Sequence, residues 1–590
     1  MNKKHLSKLI LPIGVVALSG CNKPLWLAEI FSEQHENVYI SDIALDDDNN
    51  TYSTGSVQTY FATDENNATI KGFDILTVKH DAEGNEVWRA TYSSPYERTA
   101  PRQFIINDDG LVDIFDPEHW DYTGGEEGLF LLNDDQGNTY VVGRVHGENF
   151  DASQHVAAQD WDVVVLKYDT QGTLTAELIL EDSDQFDAVR NASFENNQLS
   201  LAINDQNDSD FLVLNSDLSI TQSHTLADTQ VFNFVKTDTG KWVVAASSGN
   251  DWHLENSISL YDQNMTLEWS HVKPEYPYHR LLPEIALDSQ NNIIVASISL
   301  YAESFDHPVT SAAQLEKFTP SGELEWEMIR TGAANTNENE YIIWYGDVDP
   351  LTPGNSHDLF NLKNKLVVAS DDTLYWASEH LTAFIHGPLN LIAGQYGRYT
   401  ASASTYIKKI SSEGEELWQH HLSGSRTSTL FGLSFNTVDR RLSDIQLLPD
   451  DRLAVGYDKV SGTHFDNVES GALLGRLPYS RNSPFGFYDQ FNYIEKTQNS
   501  RLLILQPNGE PHKSLSLKGE QQRAIAINNQ NNIAVAGDNY DFYETLPLTW
   551  DPGNGVNNFF PGLLSLTKFE STRLRQDTPS KGSVALFSAE

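Results

Sequence analysis

Cysteine is nearly missing from this chain. Cys21 is the only one in 590 residues, so no internal disulfide can form. Basic residues are also scarce: 39 Lys+Arg stand against 83 Asp+Glu. A surface of that sign repels a phosphate backbone, which argues against nucleic acid as a partner. It equally disfavours an electrostatic grip on anionic lipid headgroups. Long apolar runs are missing too. The run Leu9 to Leu18 falls short of the about 20 residues a membrane helix needs, and no later stretch does better. No His-Glu-x-x-His, Gly-x-Ser-x-Gly or Gly-rich phosphate loop occurs, so no catalytic residue can be assigned by motif. What remains is an acidic chain with 27 Phe, 24 Tyr and 12 Trp, enough to build large cores.

The first twenty residues read as a targeting segment. Lys3, Lys4 and Lys8 form a basic start, the apolar run follows, and Leu18-Ser19-Gly20-Cys21 closes it. This tetrad resembles the bacterial lipobox. The resemblance implies that residues 1–20 are removed and that Cys21 carries the lipid (palmitate among its acyl chains). The alternative is a secretory signal with a chance Cys. Asn22 is not the Asp that retains such lipoproteins in the inner membrane. The implied location is the cell outer membrane, facing the periplasm or the exterior, with membrane contact through the N-terminal lipid only. A lipidated Cys21 leaves no thiol nucleophile. Without the three signal lysines, 36 Lys+Arg face 83 Asp+Glu, a balance of −47.

Two hairpin patterns return along the chain. Ile43-Ala44-Leu45-Asp46-Asp47-Asp48-Asn49-Asn50-Thr51-Tyr52 has close copies from Ile285 and from Ile525. Each predicts a strand, an Asn/Asp turn and a strand of small or β-branched residues, here termed A and B. The second pattern, Asp74 to Trp88, predicts strands C and D around a Gly turn, with a Trp on D. In it and in the copies at 315–326 and 407–418, a Lys (79, 317, 409) precedes the Trp (88, 326, 418) by nine residues. Weaker A–B copies lie near 131–143, 194–202, 234–245, 359–370 and 445–456. A last C strand is expected at Leu563 to Phe569. Four antiparallel strands repeated radially make an all-β propeller. The count is eight blades, with seven the alternative. The last blade lacks a D strand after Phe569. Pro24 to Ile30 resembles Glu416 to Leu422, Trp on Trp, so the N-terminal strand is expected to close the ring. Ser583 to Phe587 as D, with 24–30 as a stalk, is the competing arrangement.

The copies Gly137 to Gly143 and Asp162 to Gly172 resemble the bacterial β-propeller repeat found in secreted and lipid-anchored proteins. That family is often seven-bladed, and the count here departs from it. Eight-bladed quinoprotein-type propellers, with a Trp near the end of each blade, are a more distant architectural likeness.

Residues 21–590 then form one propeller domain. Its surplus length falls into insertions at about 93–127, 331–356, 371–403, 458–498 and 538–561. All are B–C or D–A connections. Successive strands run antiparallel, so these connections emerge on one face of the disc and the short A–B and C–D turns on the other. Insertions gathered on one face commonly mark a binding side. Aromatics in them are candidate anchors: Trp120, Trp344, Tyr345, Trp376, Tyr488 and Trp550. Acidic runs at Asp46 to Asn50 and Asn133 to Asn138 leave Ca2+ open, but neither completes an EF-hand loop and both suit turn chemistry. No cofactor is otherwise expected. The functional expectation is a non-enzymatic scaffold for an envelope protein, peptide or glycan. The alternative is a propeller enzyme, quinone-dependent or glycan-cleaving, with its site in the central funnel.

Overall fold

Blade 1 shows why each unit folds as four strands. Val38–Leu45 (A) turns at Asp46, whose Oδ1 accepts the backbone N–H groups of Asp48 and Asn50 at 3.0 and 2.8 Å. Thr51–Thr63 (B) leads to Thr69–His80 (C), and a second turn at Asp81 leads to Glu86–Tyr92 (D). In the A–B turn Asn49 takes a positive φ, a conformation Asn tolerates. Lys79 pairs across the sheet with both Tyr52 on B and Trp88 on D. Its Nζ lies 4.7 Å from the Tyr52 ring centre, and the Tyr52 hydroxyl donates to Asp46 Oδ2. The nine-residue spacing from Lys to Trp is thus cross-strand register around a five-residue turn.

The same unit recurs seven times. Blade 2 is Glu127–Asn133, Thr139–His146, Trp161–Tyr168 and Leu174–Leu180. Blade 3 is Ala188–Glu195, Gln198–Asn204, Ser209–Asn215 and Ile220–Leu226. Blade 4 is Thr229–Lys236, Trp242–Asn250, His253–Tyr261 and Leu267–Val272. Blade 5 is Tyr278–Leu287, Ile293–Ala302, Thr310–Phe318 and Leu324–Thr331. Blade 6 is Asn364–Val368, Leu374–Ile385, Tyr399–Ile410 and Glu416–Leu422. Blade 7 is Ser434–Leu447, Leu453–Phe465, Asn492–Leu505 and Pro511–Lys518, with Ser425–Thr429 added beside its A strand. Blade 8 is Gln521–Ile527, Asn532–Asn539, Lys581–Ser588 and, as D, the N-terminal Trp26–Ile30. The A strands touch their neighbours round the ring, blade 8 against blade 1 included, so they line the axis.

The computed structural model describes residues 24–589 except 32–37, 64–68, 96–99, 102–104, 107–111, 114–125, 149–159, 181–187, 206–207, 251–252, 273–277, 303–309, 332–362, 386–398, 430–433, 466–491, 519–520 and 540–580. All the described regular structure is strand. Every one of the internal omitted stretches falls in a B–C or D–A connection, whose ends lie on one face.

The eight blades and the closing N-terminal strand agree with the sequence reading. Two strand assignments do not. The last C strand is Lys581–Ser588, not 563–569, which lies outside the described residues. Gly582 to Phe587 is buried on both faces, as only a central strand can be. It pairs Leu586 with Trp26 on one side and with Ala534 on the other. In blade 6 the A–B pair is shifted C-terminally from 359–370. Its turn is at Ala369 to Thr373, with Asp372 at φ 61°. Asn364, inside the expected pair, bridges within the fold: Nδ2 donates to Ala296 O at 2.7 Å and Oδ1 accepts Trp376 Nε1 at 2.7 Å. Strands therefore occupy 374–385 and 399–410, and with them about half of the expected insertion at 371–403.

Apolar packing lies between blades. Eight clusters each join one blade to the next around the ring. The B and C strands supply both sides: Ile293 and Val295 face blade 4, while Ile294 and Ala296 face blade 6. The D-strand Trp of five blades lies over the C–D turn of the following blade. Trp26 Nε1 donates to Ala82 O, Trp269 to Pro320 O, Trp326 to Ser412 O and Trp418 to Pro507 O, at 2.9 to 3.1 Å. Trp88 packs on Gly172 in the same way.

Candidate functional site: the channel mouth

The innermost strands bend where polar side chains converge. In six blades the A–B register slips by one residue, leaving a bulge residue such as Ser41, Arg190, Phe232 or Arg523. A bulge breaks the ladder and frees backbone groups. Those groups are taken by the preceding blade. Asp538 Oδ1 accepts Ile40 N–H at 2.6 Å, Asp458 Oδ1 accepts Gln522 N–H at 3.1 Å, and Glu379 accepts Leu442 N–H. Asn204 does the same for Val231. B-strand side chains at the channel thus latch the A strands of blades 1, 4, 7 and 8 to the preceding blade.

A belt of polar residues follows the bulges. Asp42, Asn191, Asn233 and Asp444 each accept the N–H of the next residue at 2.8 Å. Asp42 Oδ2 also accepts Leu131 N–H of blade 2 at 2.8 Å. Asn191 donates to Asn233, Asn233 contacts Glu284, and Glu284 pairs with Lys365 at 3.0 Å. Burial pushes the Asp42 carboxyl up to about 7, with Asp444 adding to it. Glu284 holds the Lys365 ammonium well above its usual range.

Nearer the face of the long connections, charge is paired across strands. Arg144–Glu127, Arg441–Glu379 and Arg523–Asp538 lie at 3.1, 3.2 and 2.9 Å. Lys363 sits beside them with Nζ 3.5 Å from Ser443 O; burial lowers its pKa and Glu379 partly restores it. Glu379 and Asp538 have fully buried carboxylates, whereas Arg523 remains accessible. The result is a mouth of alternating sign, suited to a polar ligand that both donates and accepts hydrogen bonds.

Of the expected site residues, Trp376 is placed elsewhere. It is 1% exposed on the B strand of blade 6, in the cluster between blades 5 and 6. The A–B pair expected at 359–370 puts it in an insertion, but strand B begins at Leu374 and the Trp376 N–H is satisfied by Asn364 inside the fold. Cys21, Trp120, Trp344, Tyr345, Tyr488 and Trp550 lie outside the described residues. The acidic runs at Asp46 and Asp134 direct both carboxylate oxygens into their own hairpins. Among the described residues no group of three or more His, Cys, Asp or Glu is arranged to hold a metal. The belt was missed in the sequence. Its signal is a polar residue just before the apolar end of several A strands, as in Ile40-Ser41-Asp42-Ile43 and Leu442-Ser443-Asp444-Ile445; blades 2 and 8 have Phe130 and Ala524 there.

No protein-family description and no curated protein matches the chain. Solved structures do. Kuenenia stuttgartiensis hydrazine synthase is 13% identical with a TM-score of 0.33, over 66% of this chain and 94% of that one. The β-propeller domain of the Trilobed protease from Pyrococcus furiosus is 9% identical with a TM-score of 0.25, over 60% and 92%. An ulvan lyase of polysaccharide lyase family PL25 is 9% identical with a TM-score of 0.31, over 70% and 89%.

Proposed function

We propose that this chain is a lipid-anchored propeller of the cell outer membrane that binds an envelope protein, peptide or glycan, without catalysis, on the face bearing its long connections. One observation carries the reading: every connection longer than a tight turn begins and ends on that face, where the channel mouth also opens. Loops that vary while the ring stays regular are where recognition accumulates. The mixed-charge mouth favours a second reading, an enzyme working in the funnel, because carboxylates and a lysine of lowered pKa converge there.

A photo-cross-linking experiment on the domain without its signal segment tests the binding face. Phe232, the partly exposed bulge residue of blade 4, is replaced by a benzophenone amino acid. Leu417, exposed beside the short turns, is replaced likewise. Position 232 is expected to capture an envelope component and position 417 none. Adducts from 417 alone would overturn the reading.

A further inference from the structure

The outer rim of the ring is formed by the D strands, and their exposed apolar residues are unevenly spread. Val87, Leu174, Ile220, Leu324 and Leu417 stand singly on five of them, and the D strand of blade 4 carries two, Leu267 and Val272, one at each end. The N-terminal strand differs. Leu25, Leu27 and Phe31 are 61, 47 and 39% exposed, three large apolar side chains within seven residues. The strand alternates, so these three and Glu29 point outward while Trp26 and Ile30 pack inward. Lys581 lies over the Phe31 ring at 4.7 Å and reaches Glu29 at 3.4 Å, so the far end of the stripe carries a paired charge.

The position of this stripe says what covers it. Leu25 follows Cys21 by four residues, which span at most about 14 Å of extended chain. A D strand starts on the short-turn face and, as the outermost strand, lies at the rim. Acyl chains on Cys21 therefore bring the bilayer to this corner of the disc. The short turns carry Asp46, Asp47, Asp81, Asp134 and Asp372, among others, which keep the whole face from lying flat on anionic headgroups.

We infer that the outer edge of blade 8, with Leu25, Leu27 and Phe31, is a membrane-contacting edge that dips into the headgroup boundary beside the lipid of Cys21, so that the propeller stands on its rim with the channel mouth open to the side. The inference rests on the lipidation reading of Cys21. Apolar side chains at such a boundary gain from removal of water, as on interfacial helices.

The chain's single Cys makes the test clean, since a lipidated Cys21 leaves an introduced Cys as the sole free thiol. Full-length protein carrying Leu27→Cys, or Leu267→Cys on the opposite blade, is labelled with an environment-sensitive fluorophore. It is then reconstituted into phosphatidylcholine vesicles with or without brominated acyl chains. The label at 27 is expected to shift to the blue and to lose at least half its emission to the bromolipid, while the label at 267 is unchanged. Vesicle-bound protein with both labels in water overturns the edge but leaves the lipid anchor standing. Protein that does not float with vesicles, or floats equally as Cys21→Ser, overturns both. A concentration-dependent blue shift at 27 without vesicles assigns the stripe to a second copy of the chain and overturns the membrane edge.

Discussion

Of the eight joints between blades, five are closed by a Trp on a Gly and the two flanking blade 3 are not; at the eighth, between blades 7 and 8, Lys513 stands at the D position. In the first set a Cβ on Gly84, Gly172, Gly322, Gly414 or Gly509 would fall 2.6–2.8 Å from the Trp of the preceding blade. In the second set the Trp position on D holds Ala176 or Gln222, and the Gly position holds Leu218 or Met265. Leu218 is buried in the cluster on which Ala176 packs, and Met265 packs on the cluster between blades 3 and 4. Bulk has moved from one side of the joint to the other. The backbone has not changed: Leu218 and Met265 keep positive φ, 65° and 57°, and close the same turn onto Asn215 and Asp262. A left-handed Leu or Met costs about 1–2 kcal/mol, and this molecule tolerates it twice. Gly is therefore required at the five Trp-closed joints for the space it leaves to the indole as much as for its φ.

The comparison breaks first at the large side of the joint. Trp88→Ala empties a well-packed site between blades 1 and 2 and should cost about 3–5 kcal/mol in unfolding by urea. Gln222→Ala, at the equivalent but exposed position of blade 3, should stay within about 0.5 kcal/mol. Equal losses at both would mean that the D position matters for strand pairing and not for the joint. The next effect lies on the small side. Gly172→Ala adds a Cβ 2.6 Å from Trp88 Cδ2 at φ 77° and should cost about 2–3 kcal/mol. A change of about 1 kcal/mol, the low end of the backbone cost alone, would show that the indole moves aside without loss.

Much of this was legible in the chain. The Lys-to-Trp spacing reports a paired register, Lys79 with Trp88 and Lys409 with Trp418, so it survives wherever both residues are kept. Trp26 betrayed the closing strand because it makes the same contact as the other D-strand indoles, here on Gly84. The failures have a common cause: the deciding contact joined residues far apart in sequence. The A–B pair of blade 6 reads as 359–370 until Asn364 is found bonded to Ala296 of the previous blade. The last C strand reads as Leu563 to Phe569 until Gly582 to Leu586 is found paired with Trp26 to Ile30, from the other end of the chain. The channel belt hides for the same reason. Asp42 and Asp444 are unremarkable singly, and only the ring brings them and Lys365 to one axis.

The exchange of bulk across joints makes the finest prediction, because it concerns a coupling and not a loss. Ala176→Trp alone should be destabilising by about 1–3 kcal/mol, since the indole would meet Leu218 where other blades offer Gly. Leu218→Gly alone removes a buried side chain from the cluster between blades 2 and 3, at similar cost. Together they rebuild the joint used five times elsewhere in the ring. The double variant should then be more stable than the sum of the two losses by about 1–2 kcal/mol, read from a double-mutant cycle in urea. Additive losses would mean that blade 3 has diverged in more than these two positions. Its joints would then be a separate solution to packing neighbouring blades, and the volume argument would hold only for the Trp-bearing part of the ring.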